Sequence, residues 1–214
     1  MIRNIFANHG ITITEEQEQK LNQYYDLLID WNNKINLTSI VEYEEVIWKH
    51  FLDSAFFVSC DKVDLKEKKK VLDLGTGAGF PGMVLAILCP DYEFVLADSL
   101  NKRIEFLKVV INRLQIHNVS VIHGRAEELG RDENFRNQFD YVVSRAVAEL
   151  PVLLEYCIPF VKKGGYFVSY KSRRLDEEIE NADNALNMLY TKYEKKYKYE
   201  LEYDHSERYL VFFR

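Results

Sequence analysis

Val71-Leu72-Asp73-Leu74-Gly75-Thr76-Gly77-Ala78-Gly79-Phe80-Pro81-Gly82 is an apolar strand running into a turn with glycine at alternate positions, closed by a proline that opens a helix. Alternate glycines permit positive φ and let the backbone come close to a ligand. Pro81 suits a first helical position, where no N–H is needed and φ is already helical. Met83-Val84-Leu85-Ala86 carry the helix on. Its N-terminal N–H groups then face whatever lies above the strand, which is the arrangement of a nucleotide-binding crevice.

Outward from this turn, short apolar strands alternate with helices. Residues 71–74, 93–97, 119–123, 139–144 and 165–170 read as strands. Helices are expected at 81–89, 101–114, 148–158 and 175–190. Such alternation implies a parallel sheet covered on both faces. The chain end breaks the rule: aromatic-rich strands at 195–203 and 208–213 are joined by Asp204-His205-Ser206-Glu207, which leaves no room for a helix. They must pair antiparallel. The expected fold is α/β, a Rossmann-like doubly wound sheet ending in an antiparallel hairpin, the architecture of class I S-adenosylmethionine-dependent methyltransferases. It occupies residues 70–214 as one unit. Ahead of it, Thr14 with Gln17 predicts a capped helix over 14–32, and a second helix is expected over 43–58. Residues 1–60 thus form an N-terminal helical cap, linked through 60–69. Trp31 and Trp48 read as core, and His50 and Asp53, one turn apart, as packing of the cap on the sheet.

Gly77 to Gly82 also matches GxGxxG, with Asp98 about twenty residues on, as in nicotinamide-binding folds. Three features favour S-adenosylmethionine instead. The glycines begin at Gly75, two residues before that fingerprint; the hairpin ends the sheet; and Asp73 lies in the strand. An acid suits a cofactor carrying an ammonium and a sulfonium and would oppose a pyrophosphate. Asp73, Gly75, Gly77, Gly79 and Phe80 are therefore cofactor-binding candidates. Asp98, with Ser99 beside it, stands where an acid accepts ribose hydroxyls, the alternative being an N-cap for the helix at Asn101. Ala126 and Glu127 stand where this fold meets adenine, Glu127 being alternatively a helix N-terminal acid. Arg145 ends the fourth strand inside the crevice.

The chain has 214 residues, 47% hydrophobic and 29% charged, as expected of a soluble globular protein. No apolar run reaches the ~18 residues of a membrane span, and no signal-peptide pattern opens the chain. Three scattered cysteines and five scattered histidines suggest reduced cytosolic thiols and no metal. A net charge of −6 argues against binding nucleic acid with the whole surface. One stretch, between Glu155 and Asp176, contains no acid but holds Lys162, Lys163, Lys171, Arg173 and Arg174. A solvated face is the plain reading of such a run, and an RNA-binding patch the functional one.

Trp31-Asn32, Asn36-Leu37-Thr38, His50-Phe51-Leu52-Asp53-Ser54, Asp73 through Gly82, Asp98 through Arg103, Gly124-Arg125-Ala126-Glu127, Ser144-Arg145-Ala146 and Tyr170-Lys171 occur in order across nearly the whole chain. In these the sequence resembles the bacterial 16S ribosomal RNA (guanine-N7) methyltransferase family RsmG, the glucose-inhibited division protein B family. Ser172 departs from it, glycine being commoner there. The resemblance implies methyl transfer from S-adenosylmethionine to N7 of one guanine, with 16S rRNA or an assembling small subunit as partner; the chain is expected to act as a cytoplasmic monomer. It carries cofactor contacts to Gly75, Phe80, Asp98, Ala126, Glu127 and Arg145, and target-nucleotide contacts to Arg125, Arg145 and Lys171. A small-molecule methyltransferase and a non-catalytic S-adenosylmethionine-binding scaffold remain the alternatives.

Overall fold

The computed structural model describes residues 1–173 and 175–214, so Arg174 of the basic stretch lies outside the described residues. The capping box forms as expected. Thr14 Oγ1 accepts the Gln17 N–H at 3.1 Å and Gln17 Oε1 accepts the Thr14 N–H at 2.9 Å. It starts α2 (Glu15–Ile35), which ends at Asn36 in the left-handed conformation. A short α1 (Ile2–Asn8), which has no cap signal, precedes it. The expected second helix is a composite: α3 (Tyr43–Val46), a π-helical turn at Ile47–Leu52, α4 (Asp53–Ala55) and a 3₁₀ turn at Phe56–Ser59. The wider π turn rotates His50 and Asp53 relative to a regular helix, a departure frequent at functional sites.

The sheet then begins. Its elements are β1 (Lys70–Leu74), α5 (Gly82–Leu88), β2 (Glu93–Asp98), α6 (Asn101–Leu114), β3 (Val119–His123), α7 (Ala126–Leu129) and β4 (Phe139–Arg145). There follow α8 (Leu150–Cys157), a 3₁₀ turn at Ile158–Phe160, β5 (Val161–Lys171), α9 (Leu175–Asn181), α10 (Asp183–Met188), β6 (Tyr193–Leu201) and β7 (Ser206–Phe213). The strand order is β3-β2-β1-β4-β5-β7-β6. The pairs among β1 to β5 are parallel, and β7 runs antiparallel between β5 and β6. Order reverses at β1, between β2 and β4, so a crevice opens at the carboxyl end of β1, the position for a ligand in open α/β sheets.

Two expectations change in detail. The helix expected over 175–190 is two short ones. Pro81 is not the first helical residue: α5 starts at Gly82, with Pro81 as its N-cap after a cis Phe80–Pro81 peptide. The cause is local packing. The Gly82 N–H donates to Asp73 Oδ2 at 2.7 Å, and a Cβ on Gly82 would lie 2.7 Å from Asp73 Cβ. Only glycine lets the helix begin this close to β1.

The cap shares one core with the sheet. Leu21, Tyr24, Leu28 and Phe51 pack with Met83, Phe106, Leu107 and Phe80 in a single buried cluster. Trp31 and Trp48 pack on its edge and are only half-buried. Tyr24 is buried, and its hydroxyl donates to the Ala78 carbonyl within the glycine turn. Tyr24→Phe leaves that carbonyl unpaired in the core; a loss of about 1–2 kcal/mol is expected, read as a lower denaturant midpoint at unchanged slope.

Candidate functional site

The glycine turn folds around two carboxylates. Gly75, Gly77 and Gly79 all have positive φ (73°, 61° and 98°). Asp73, fully buried, accepts the Thr76 hydroxyl and the Gly82 N–H on Oδ2, both at 2.7 Å. Asp98, at the end of β2, accepts the Gly77 and Leu100 N–H groups, each at 2.9 Å, and Arg103 Nη1 at 3.2 Å. Leu100, not Asp98, is the N-cap of α6, so Asp98 faces the turn. Among the described residues a Cβ on Gly77 would meet nothing within 4 Å, so the glycine face borders open space.

Two cavities flank this turn. The smaller, about 310 Å³, is lined by Gly75, Asp98, Ser99, Ala126, Glu127 and Arg125, among others. The larger, about 560 Å³, is lined by Gly75, Thr76, Gly77, Ala78 and Phe80 on the sheet side. Thr38, His50 and Asp53 from the cap, Arg145, Lys171, Glu178 and Arg208 complete that wall. Gly75 lines both, so the two cavities adjoin at the turn.

The candidates from sequence thus divide. Asp98, Ser99, Ala126 and Glu127 share the smaller cavity with Arg125, which is exposed there and stands apart from Arg145 and Lys171. Gly79 lies beneath the turn against Tyr24 and Leu107. Asp73 sits one layer behind the turn and touches neither cavity wall. It acts by shaping the loop and by its charge. Burial pushes its pKa up to about 6, against the lowering by the Thr76 and Gly82 hydrogen bonds. Its Oδ1 is buried and, among the described residues, has no hydrogen-bond partner.

The charge of that partly neutralised acid would make the binding of a cationic ligand at the turn pH-dependent. A folded pKa of about 6, above the ordinary 3.8, favours the protonated form. The penalty for ionising Asp73 is absent below 3.8 and complete above about 6, so this group lowers stability as pH rises through that window. A cationic ligand prefers the ionised form. S-adenosylmethionine affinity is therefore expected to fall several-fold as pH drops from 7 to 5, by no more than about tenfold per unit. Asp73→Asn should flatten the profile, checked by calorimetry across that range.

Arg145 is tied from several sides. Its Nη1 donates to Asp53 Oδ2 at 2.7 Å and to the Lys49 carbonyl at 3.3 Å, and Nη2 lies 3.4 Å from His50 Nδ1. Its guanidinium lies 5.4 Å from the Phe80 ring centre, on which the His50 ring also stacks at 4.4 Å. Asp53 further accepts the Tyr199 hydroxyl at 2.8 Å. Burial and the neighbouring Arg145 hold the His50 pKa down to about 3, so the ring is neutral. Lys171 donates to Glu178 Oε2 at 2.5 Å and to the Ala148 carbonyl at 3.2 Å. The two cap residues read as packing are thus polar partners of the crevice arginine. Asp53, Glu178 and Thr38 were not singled out as site residues in the sequence. Their only signal was that Asp53 and Thr38 lie in the resembling segments.

The acid-free stretch is not a single patch. Lys162 and Lys171 lie toward opposite ends of β5, on either side of the irregularity in its pairing with β4 between Val161 and Tyr166. Lys162 pairs with Asp140 at 2.6 Å, while Lys163 and Arg173 stay exposed.

The strand order, glycine turn and acid after β2 define a class I S-adenosylmethionine-dependent methyltransferase of Rossmann-like fold. The fold resembles a SAM dependent methyltransferase from Aquifex aeolicus (TM-score 0.56, 18% identity, 80% of this chain and 93% of that one). It is also similar to precorrin-6y C5,15-methyltransferase from Geobacter metallireducens (TM-score 0.56, 15% identity, 86% and 95%). A family model for GidB, rRNA small subunit methyltransferase G, matches residues 17–205. Ribosomal RNA small subunit methyltransferase G of Lachnoclostridium phytofermentans is 52% identical over 202 residues, 94% of this chain and 83% of that one. The protein of the same name from Clostridium novyi is 45% identical over 202 residues, 94% and 82%. The chain belongs to the rRNA small subunit methyltransferase G family, and its cofactor is S-adenosylmethionine. The residues fit that group: an open glycine face, a carboxylate after β2 and an orphaned buried carboxylate oxygen behind the turn.

Proposed function

We propose that the protein methylates N7 of one guanine in 16S small-subunit rRNA, by in-line displacement without a general base. The observation that carries this is the meeting of Arg145 and Lys171 with the glycine turn around one cavity, next to the cavity that holds Asp98, Ala126 and Glu127. In this reading the smaller cavity takes the adenosine, through Asp98 to the ribose and Ala126 and Glu127 to the base. The turn at Gly75–Phe80 takes the methionine end. The larger cavity then receives the acceptor base beneath the cap of residues 1–60.

When bound, S-adenosylmethionine supplies an electrophilic methyl on a sulfonium. Guanine N7 bears an in-plane lone pair and no proton. Transfer would exchange the sulfur–methyl bond for an N7–methyl bond and carry the charge to the purine, with no proton taken up by any residue of the site. The site chemistry agrees. Its carboxylates are ion-paired, Asp53 with Arg145 and Glu178 with Lys171, and His50 is neutral. The protein's work is placement and exclusion of water. N7 must stay free, so the bidentate arginine grip on O6 and N7 is unusable. Arg145 and Lys171 instead reach O6 or a flanking phosphate of a base turned out of its stack, and exposed Arg125 meets RNA at the outer rim. The protein acts as a cytoplasmic monomer on free rRNA or an assembling subunit.

The test is transfer of labelled methyl from S-adenosylmethionine into small-subunit rRNA extracted from cells lacking the protein. Label in the RNA fraction is expected. Label recovered only in small molecules from the same extract would overturn the RNA assignment.

A further inference from the structure

Thr38 sits where α2 has turned back toward the crevice. Asn32 Oδ1 accepts both the Leu37 and Thr38 N–H groups, at 2.6 and 2.8 Å, and so fixes the loop that brings Thr38 to the larger cavity. Its hydroxyl oxygen has two close partners: His50 Nε2 at 2.9 Å and the Ile40 N–H at 3.1 Å. The direction of the first bond follows from the far side of the ring. Arg145 has only donors to offer, so the His50 Nδ1 facing it is the acceptor and the ring proton is assigned to Nε2. His50 therefore donates to Thr38. Both lone pairs of Oγ1 are then occupied, by His50 and by the Ile40 N–H. The hydroxyl proton remains, and among the described residues no acceptor takes it.

We propose that Thr38 is a specificity-determining residue, whose hydroxyl, oriented by the Arg145–His50 relay, donates to O6 of the acceptor guanine. This rests on the reading above that the larger cavity receives the base. It assigns O6 to the Thr38 hydroxyl, which leaves Arg145 and Lys171 to the flanking phosphate and N7 free. A neutral donor of fixed direction also discriminates against adenine, whose 6-amino group would meet the Thr38 proton with protons of its own.

The test uses the full-length enzyme on rRNA assembled by ligation, with guanine or 2-aminopurine at the methylated nucleotide. 2-Aminopurine keeps N7 and lacks O6. Its altered N7 reactivity is common to all enzyme variants and drops out when they are compared. The wild type and Thr38→Ser are expected to favour the guanine RNA in kcat/KM by about tenfold more than Thr38→Val does. The S-adenosylmethionine Kd of all three should agree. Thr38→Val retaining the full guanine preference would overturn the proposal, as would a weakened cofactor Kd with that preference intact, since the hydroxyl would then serve the cofactor carboxylate. No methylation of the guanine RNA by the wild type would instead remove the reading on which this rests.

Discussion

Arg145→Ala is expected to lower kcat for RNA methylation about a hundredfold or more, the scale of misplacing an acceptor base by about an ångström against the methyl. Affinity for S-adenosylmethionine should change only a few-fold. The same substitution should destabilise the protein by about 3 kcal/mol, because it leaves Asp53 buried beside a hole. The side chains of Arg145 and Asp53 are only 15% and 5% exposed, so water cannot replace the lost partner cheaply. The two effects separate in a second variant. Asp53→Asn combined with Arg145→Ala removes the stranded charge and should restore most of the stability without restoring turnover. Single-turnover kinetics and denaturant unfolding on the same preparations check both. Recovery of turnover along with stability would reduce Arg145 to a strut between cap and sheet.

Asp98→Ala should strike the other half of the site. Its carboxylate braces the Gly77 N–H and stands on the wall of the smaller cavity, so the variant loses a loop brace and, in the proposed reading, the acceptor for the ribose. Hydrogen bonds to a charged group contribute about 1.5–3 kcal/mol each, and the S-adenosylmethionine Kd should rise about a hundredfold. At saturating cofactor kcat should stay within a few-fold of wild type. Arg145→Ala and Asp98→Ala would then differ in kind, one in kcat and one in Kd. Titration calorimetry with saturation kinetics reads the difference.

How much of this was legible in the sequence depends on the range of the interaction. The glycine turn, the capping box at Thr14 and the terminal hairpin are local, set by backbone conformations and turn lengths within a few residues, and all three form. The hairpin turn lies at 202–205, two residues ahead of the expected Asp204–Glu207, because Ser206 and Glu207 already pair with Leu201 and Glu200. The partner of Arg145 is 92 residues away at Asp53, and the Tyr24 clamp on Ala78 spans 54. Neither leaves a local mark. The basic stretch misled for a related reason: an eleven-residue strand carries neighbours in sequence to opposite ends of the sheet. The π turn at Ile47–Leu52 was hidden because its apolar spacing fits an ordinary helix. Asp73 was read correctly as an acid belonging to the turn, but it sits behind the turn and not on the cavity wall. The start of α5 depends on close contact between Gly82 and Asp73, which no spacing rule contains.

The central claim is that this crevice delivers a methyl group to N7 of a single guanine. The most direct measurement incubates small-subunit rRNA, free and in partly assembled particles, from cells lacking the protein with the purified enzyme and S-adenosylmethionine. Mass spectrometry of nuclease fragments then maps the product. One new 7-methylguanosine at one position, absent with Arg145→Ala, is the predicted result. Methylation of another atom or base, or an unmodified RNA despite demonstrated cofactor binding, would contradict it.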